Sequence, residues 1–435
     1  MRPRQTPRVY PEAVVLAAFE LFLILTGIVV ESGVLAEGLK KVVLSPGLLI
    51  TDYVMVGGVG AALVNAGAVG LAGVLLAAIC GIRPSGTEVA GVLTMTGFAF
   101  FGKNLITIFP LIGGVYLYSL AEGKAFRNYL TPAMFATALA PVVSQAAFGL
   151  GLGLPTGILM GVITGFLVPP LRPVLYHCHN GLNLYNIGFT AGIVGSIVYA
   201  FKVRFTGKFD PVLIWSVHWS SWLGWLFTLL FVGLCMVAYV TGKDSLTKNY
   251  GRILASSGKL TSDFVQIAGW PSTLFNMGTV GLMGSTYILV TGSVFNGPTV
   301  GGLLTMVGFA AMGKHPRNVL PIMMGVLAGG WILGLQPSTP GVILAALFGT
   351  ALAPVAGMFG PFAGFLAGIV HTAVVTNVGW LHGGMNLYNN GFAAGLVATL
   401  FWGAWPTLAA AYDRLTGPRV PADRAQAPVT APDQT

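Results

Sequence analysis

One segment occurs twice in the chain, as GVLTMTGFAFFGK at residues 91–103 and as GLLTMVGFAAMGK at residues 302–314. The two copies lie 211 residues apart, and the same spacing holds without a gap from Asp52 to Pro110. Self-similarity over such a length is the mark of a duplicated architecture. The chain is therefore predicted to contain two homologous halves.

Two further motifs recur later in each half. TALAP occupies residues 137–141 and 350–354, and HNGLNLYNIGF at residues 179–189 matches HGGMNLYNNGF at residues 382–392. The end of the chain is rich in Pro and Ala and has no apolar period, which predicts disorder. The predicted division is a cytoplasmic N-terminal arm, two transmembrane repeats and a disordered tail, at residues 1–9, 10–205, 206–411 and 412–435.

The composition identifies the chain as a membrane protein. Of its 435 residues, 55% are hydrophobic and only 8% are charged, whereas ordinary soluble domains carry about 25% charged residues. A soluble enzyme is therefore excluded. The net charge is +9, but the basic residues lie mostly in short loops and tails, as positive-inside sorting would place them, so we expect no nucleic-acid partner. The three cysteines are scattered and predict no disulfide framework.

Apolar runs long enough to span a bilayer, about 20 residues each, recur through both halves. In the first half we predict five spanning helices, at residues 12–32, 56–81, 104–121, 130–148 and 154–171. Two other segments, 87–102 and the one beginning at residue 180, hold polar side chains among glycines. They are predicted to be re-entrant or broken helices, which a bilayer tolerates where the backbone lines protein or water. The predicted fold is an all-α polytopic membrane protein of two pseudo-symmetric repeats.

The charge of the first loop in each repeat bears on their relative orientation. The four charged residues between positions 31 and 41 sum to zero, whereas the five between positions 243 and 259 sum to +3. Because cytoplasmic loops carry an excess of Lys and Arg, this difference favours inverted repeats, with the two loops on opposite sides of the membrane. A parallel arrangement satisfies the charges almost as well and stays open as the alternative.

Paired polar residues in the repeated segments are the candidate pathway residues. Asn183 and Asn186 are spaced to share one face of a helix, and Asn386 and Asn389 repeat that spacing. Carboxamides donate and accept hydrogen bonds without charge, which suits a small polar solute. The alternative is that they join helices, at about 0.6 kcal/mol per hydrogen bond. The same prediction extends to the repeated histidines and threonines His179, His382, Thr94 and Thr305.

Two pairs of charged residues recur at the spacing of 211. Lys103 and Lys314 close the repeated segment and would attract an anion if they face the interior, whereas the alternative is that they snorkel to the headgroups. Asp52 and Asp263 begin apolar segments and are candidates for a coupling proton or sodium ion, although capping a helix is the more ordinary role of aspartate there. No catalytic motif and no repeated metal-ligand cluster occurs, so we predict no catalytic residue, metal or cofactor.

The LTMxGFA and NLYNxGF motifs resemble those of an uncharacterised family of bacterial multi-pass membrane proteins, known as a domain of unknown function, over about residues 10–410. The resemblance implies a location in the bacterial inner membrane and names no substrate. The plan of two halves, each with a broken segment containing Gly and Asn, is also similar to that of urea channels. The paired lysines depart from that plan.

These observations predict a permease or channel for a small polar solute, with the passage between the two repeats. The alternative is an ion-coupled transporter of a small anion, and an intramembrane enzyme ranks third. The expected partners are the lipid bilayer and the transported solute, and a homo-oligomer stays open. The sequence does not name the substrate.

Overall fold

The computed structural model describes residues 10–207, 212–243 and 245–416, and within them the chain is almost entirely helical. The helices of the first half are α1 (Pro11–Val30), α2 (Leu35–Leu44), α3 (Tyr53–Gly57), α4 (Val59–Ile79), α5 (Gly86–Phe98), α6 (Leu105–Ala121), α7 (Leu130–Ala136), α8 (Ala140–Ser144), α9 (Leu154–His179) and α10 (Asn186–Thr206). Those of the second half are α11 (Ser220–Gly242), α12 (Leu246–Leu254), α13 (Phe264–Ala268), α14 (Trp270–Val290), α15 (Gly297–Gly308), α16 (Pro316–Ile332), α17 (Pro340–Gly349), α18 (Ala353–Phe359), α19 (Pro361–His382) and α20 (Asn389–Thr416). Each helix of the first half has its counterpart ten places later. The predicted arm at residues 1–9 and the predicted tail beyond residue 416 lie outside the described residues.

Ten stretches of the described residues are long and apolar enough to cross a bilayer. Eight are single helices, namely α1, α4, α9, α10, α11, α14, α19 and α20, and two are composite, at Phe126–Gly149 and Pro340–Phe359. The chain is therefore a multi-pass membrane protein whose outer helical faces contact lipid.

Helices α5 and α15 agree with the prediction of a re-entrant or broken helix at residues 87–102 and in its repeat. Helices α5 and α15 have 13 and 12 residues, which reach only about 20 Å at 1.5 Å per residue, against a hydrocarbon core of about 30 Å. Capping boxes set where they begin: Ser85 and Glu88 form one at the start of α5, and Asn296 and Thr299 form one at the start of α15.

The segment that begins at residue 180 confirms the prediction of a broken helix, and its helical part is longer than a re-entrant helix would be. Residues 180–185 are irregular, but α10 then continues for 21 residues and is long enough to span the membrane. The helical part is long enough to span because the polar cluster ends at Thr190 and the next ten residues are mostly apolar. Helix α9 also runs past its predicted end at residue 171 and stops at His179, although it contains three prolines in its interior. Prolines are tolerated in membrane helices where neighbouring groups satisfy the freed carbonyls.

Glycine allows the apolar helices of each half to approach closely. A Cβ atom at Gly165 of α9 would overlap the carbonyl oxygen of Leu111 in α6, and one at Gly368 of α19 would overlap the carbonyl oxygen of Ile322 in α16. These are equivalent contacts in the two halves. They account for part of the high glycine content, since small residues are what lets membrane helices pack backbone to backbone.

The packing of α10 against α20 establishes that the repeats are inverted. Asn183, just before the start of α10, donates a hydrogen bond to the carbonyl of Gly391 in α20. Gly195, later in α10, lies beside Asn386, which comes before the start of α20. Two equivalent spanning helices thus run antiparallel. A two-fold axis along the membrane normal would make them parallel, so the axis lies in the membrane plane, as in inverted-repeat transporters. The parallel alternative is excluded.

Candidate functional site

The re-entrant helices α5 and α15 cross at the pseudo-two-fold axis. Gly97 of α5 packs against Gly301 of α15, and each helix begins beside the residues that follow the other. Thr94 and Thr305, both assigned to the pathway from sequence, lie one turn from this crossing and are buried. The Thr94 hydroxyl lies 3.3 Å from the Tyr388 hydroxyl, whereas the Thr305 hydroxyl donates to a carbonyl of its own helix.

Lys103 and Lys314 lie in the turns that follow the re-entrant helices. Asn65 donates hydrogen bonds to the carbonyls of Ala99 and Lys103, at 2.7 and 2.9 Å. Its counterpart Asn276 does the same for Ala310 and Lys314, at 2.7 Å each. These bonds hold the irregular backbone in place and turn both lysine side chains inward.

Both lysines are buried inside the protein rather than extended to the headgroups. Lys103 is 1% exposed and Lys314 is fully buried. The Nζ atom of Lys103 contacts the hydroxyl of Thr137 at 2.9 Å, and that of Lys314 contacts the hydroxyl of Thr350 at 2.7 Å. Among the residues that the structure describes, no carboxylate forms an ion pair with either lysine.

A continuous row of rings, called here the aromatic cluster, connects the two lysines across the axis; it consists of Phe98, Tyr388, Tyr185 and Phe309. Adjacent ring centroids in this order are 4.5, 5.1 and 4.6 Å apart. The Nζ atom of Lys103 lies 5.3 Å from the ring of Phe98. That of Lys314 lies 4.5 Å from the ring of Tyr185 and 5.3 Å from that of Phe309. Each ammonium group thus faces aromatic rings, which attract cations.

The two tyrosines of the cluster break the symmetry of the site. Tyr185, from the first half, accepts a hydrogen bond from Lys314 of the second half. Its counterpart Tyr388 points instead at Thr94, and no hydrogen bond between Tyr388 and Lys103 occurs in the described part of the chain. The two half-sites therefore differ in their hydrogen bonds.

A cleft with a volume of about 120 Å³ opens on one side of the cluster, with room for several water molecules. Tyr185, Tyr388 and Phe309 form its floor, and neither lysine lines it. Its mouth and walls carry the polar groups Thr87, Thr131, Arg172, Tyr176, Asn186 and Thr261. The aromatic cluster therefore separates the cleft from both lysines.

Three of the polar residues of the cleft have apolar equivalents in the other half. The carbonyl of Arg172 accepts a hydrogen bond from Asn186, just as the carbonyl of Val375 accepts one from Asn389, so valine takes the place of arginine. By the spacing of 211, the equivalent of Thr87 is Pro298, and the equivalent of Thr261 is Ile50. The polar entrance is thus confined to one face of the inverted pair.

The predicted asparagine and histidine residues have local partners. The Nε2 atom of His179 lies 3.0 Å from the Oδ1 atom of Asn186, and His382 contacts Asn389 in the same way at 2.9 Å. The Oδ1 atoms of Asn183 and Asn386 accept the backbone N–H groups of Tyr185 and Tyr388. These bonds fasten the irregular segments and position the two tyrosines. Of this group, Asn186 is the one that also lines the cleft.

Asp52 and Asp263 each cap one helix of their own half and one helix of the opposite half. Asp52 accepts backbone N–H groups from Val54 of its own half and from Gly297, the first residue of α15. Asp263 accepts those of Val265 and of Gly86, the first residue of α5. Each aspartate thus stabilises the re-entrant helix of the opposite half. This is the capping alternative that the sequence offered, and the role in ion coupling stays a prediction.

Several residues of the site were missed in the sequence. Tyr185, Tyr388, Thr137 and Thr350 stand inside the quoted motifs, and their recurrence as polar residues was the available signal. Arg172 has no counterpart in the second half. The one sequence signal for it was that it is a charged residue among apolar ones. No group of three His, Cys, Asp or Glu residues suited to a metal occurs within the described ranges.

Comparison with known proteins agrees with this architecture. The family model described as "Protein of unknown function (DUF1576)" matches residues 32–203 and 242–405, one region in each half. The chain belongs to this family. No curated protein and no solved structure matches the chain. The DUF1576 match covers both re-entrant helices and both buried lysines, while the similarity in plan to urea channels stays a prediction.

Proposed function

We propose that this DUF1576 protein is a carrier of a small anion, with the pathway between its two inverted halves. The observation that carries the proposal is the pair of buried lysines without a carboxylate partner among the described residues. This proposal is the ion-coupled alternative of the sequence analysis rather than its leading hypothesis, a permease or channel for a small polar solute.

Electrostatics favours an anion at these positions. An ammonium group offers three donors, and removing it from water costs several kcal/mol unless it is paired and hydrogen-bonded. Lys103 has one hydroxyl partner and one ring, and Lys314 has two hydroxyls and two rings. Each lysine also directly precedes the first turn of a helix of 17 residues, α6 or α16, where the helix dipole favours negative charge. A bound anion would complete both sites.

The aromatic cluster favours a carrier over an open channel. The rings of Tyr185 and Tyr388 close the cleft before it reaches either lysine. An anion entering past Arg172 must displace Tyr185 from Lys314, which requires a change of conformation. Inverted halves in unequal states, with one polar entrance, are what alternating access around a central site requires.

A panel of anions in proteoliposomes tests this function. Purified protein is assayed for uptake of radiolabelled chloride, formate, bicarbonate and phosphate, with urea as the neutral solute. We expect one anion or more to be taken up with saturation and urea to be excluded. The double substitution Lys103→Met with Lys314→Met should reduce uptake by more than about a hundredfold, since it removes both cations.

The matched control is Lys124→Met, because Lys124 is exposed and pairs with Glu122 in a loop. Size-exclusion profiles and melting temperatures establish that all variants are folded. Uptake of urea at rates unaffected by the lysine substitutions would overturn the proposal and restore the neutral-solute channel. Undiminished anion uptake in the double variant would overturn it as well.

A further inference from the structure

One buried carboxyl group belongs to none of the contacts described so far. Glu20 is the tenth of the 20 residues of α1, halfway along a spanning helix. It belongs to the buried stripe of that helix, which consists of Glu12, Leu16, Glu20, Leu23 and Gly27. Glu12 lies eight residues earlier, about 12 Å along the helix, and pairs with Arg83. Glu20 has no such partner.

The surroundings of Glu20 leave half of its carboxyl group unsatisfied. Its Oε1 atom accepts a hydrogen bond from the hydroxyl of Thr96 in α5, at 2.7 Å. Its Oε2 atom is buried, and no donor among the described residues reaches it. On the other side the group lies directly against Gly70 of α4, where a Cβ atom would overlap it.

No cation faces this carboxyl group from the helices packed around it. Helix α4 carries no charged residue. The one charged residue of α5 is Glu88, which is engaged in the capping box at the far end of that helix. An unpaired carboxylate in such a place carries a large desolvation cost, and a single proton removes that charge. Intramembrane acidic residues of this kind mark proton relays in pumps and transporters.

Helix α5 connects Glu20 to the aromatic cluster. Thr96 bonds Glu20, and Thr94, two residues earlier on the opposite side of the helix, contacts Tyr388. A change of charge on Glu20 therefore acts on the re-entrant helix whose other face supports the cluster. The second half has no equivalent of the bond between Glu20 and Thr96. Phe231 stands at the position of Glu20 and packs against Gly281, the counterpart of Gly70, and Val307 replaces Thr96.

We propose that Glu20 is a proton-binding site that couples anion transport to the proton gradient, with one proton per chain. The proposal rests on the proposed function, and it assigns the driving ion to a residue of the first half alone. Binding converts the Glu20 carboxylate and one proton into the neutral acid, and release reverses that step.

The first test uses Glu20→Gln, which keeps the shape of the side chain and an acceptor for Thr96 but cannot titrate. Infrared difference spectra of the purified full chain are recorded between two pH values. We expect the band of a buried protonated carboxyl group in the wild type and in the matched control Glu12→Gln, and its loss in Glu20→Gln. Persistence of this same band, unchanged in frequency and intensity, in Glu20→Gln overturns the proposal whatever the protein transports.

The second test measures coupling in proteoliposomes with chloride and formate as probes. An inward proton gradient should drive accumulation in the wild type, and Glu20→Gln should lose at least about tenfold of it while keeping downhill exchange. Equal proton-driven accumulation in both overturns the inference. If the wild type carries the infrared band but moves no anion, the proposed function fails and the protonation site stands.

A third variant covers the case that Glu20→Gln does not fold. Thr96→Val keeps the carboxyl group and removes its one hydrogen-bond donor. It should shift the infrared band, because the carboxyl group loses that hydrogen bond. An unshifted band would show that the titrating group is not Glu20.

Discussion

Tyr185 of the first half lies with its ring 4.5 Å from the Nζ atom of Lys314 of the second half and accepts a hydrogen bond from it. The equivalent tyrosine, Tyr388, makes no such contact with Lys103 among the described hydrogen bonds and points at Thr94. The two equivalent tyrosines therefore differ in position relative to the lysine of the opposite half. Exchange between these positions is the movement that the proposed carrier needs.

Removing the Tyr185 hydroxyl should strengthen anion binding. In Tyr185→Phe the anion no longer competes with a hydrogen bond to a charged group, which is worth about 1.5–3 kcal/mol, and tenfold in affinity corresponds to about 1.4 kcal/mol. We expect the KM for the transported anion to fall roughly tenfold. Tyr388→Phe is the control and should change the KM by less than about twofold, since its bond of 3.3 Å is long. Equal effects of both substitutions would contradict this assignment.

Arg172 at the mouth of the cleft should accelerate anion entry. Arg172→Gln is expected to reduce kcat/KM for anion uptake by about tenfold at low ionic strength, because a charged cleft raises the local concentration of the opposite ion. The difference should shrink near 0.15 M salt, where the screening length is about 8 Å. Arg127→Gln, at an exposed arginine outside the cleft, should leave uptake unchanged. An effect of Arg172→Gln that is independent of salt would argue against steering.

The two cross-capping aspartates should differ in their contribution to stability. Asp52 is fully buried and accepts three backbone N–H groups, from Val54, Gly297 and Ser216. Asp52→Asn replaces one acceptor oxygen by a donor and should cost about 1–3 kcal/mol, seen as a lower melting temperature in detergent.

The partly exposed Asp263 provides the comparison for Asp52. Asp263→Asn should lower the melting temperature less, because water can replace the lost acceptor. A larger loss for Asp263→Asn would mean that burial does not determine the strength of these caps.

The inverted arrangement predicts opposite labelling of equivalent loops. In a chain with Cys80, Cys178 and Cys235 replaced by Ala, we introduce Lys40→Cys in α2 or its counterpart Gly251→Cys in α12. Both positions are exposed, and the space around Gly251 is open. A membrane-impermeant thiol reagent should label one variant from outside the cell and the other only after permeabilisation. Labelling of both from the same side would contradict the inversion.

The spacing of 211 predicted more of the fold than any single motif. It paired α5 with α15 and Lys103 with Lys314, and the glycine-rich stretches indicated re-entrant helices, because both patterns are local properties of the chain. The length of α10 was not predicted. Its first residues are polar, and the apolar residues that follow were assigned to the same short segment.

The contacts of the site were beyond the sequence for a different reason. Tyr185 and Lys314 are 129 residues apart, and they meet because α10 and α20 pack antiparallel across the axis. The charge of the loops favoured inverted halves but did not establish them, so the sequence could not show that these helices meet. Glu20 is a similar case: its carboxyl group contacts Thr96 through the docking of α1 on α4 and α5, and no repeat partner drew attention to it.

Reciprocal capping also constrains how such a chain could have arisen. Asp52 completes α15 and Asp263 completes α5, so neither half contains all the groups that its own re-entrant helix needs. A single ancestral copy could satisfy both caps only as a homodimer of two chains inserted in opposite directions. The two halves are not interchangeable, since one holds Glu20 in the membrane where the other holds Phe231.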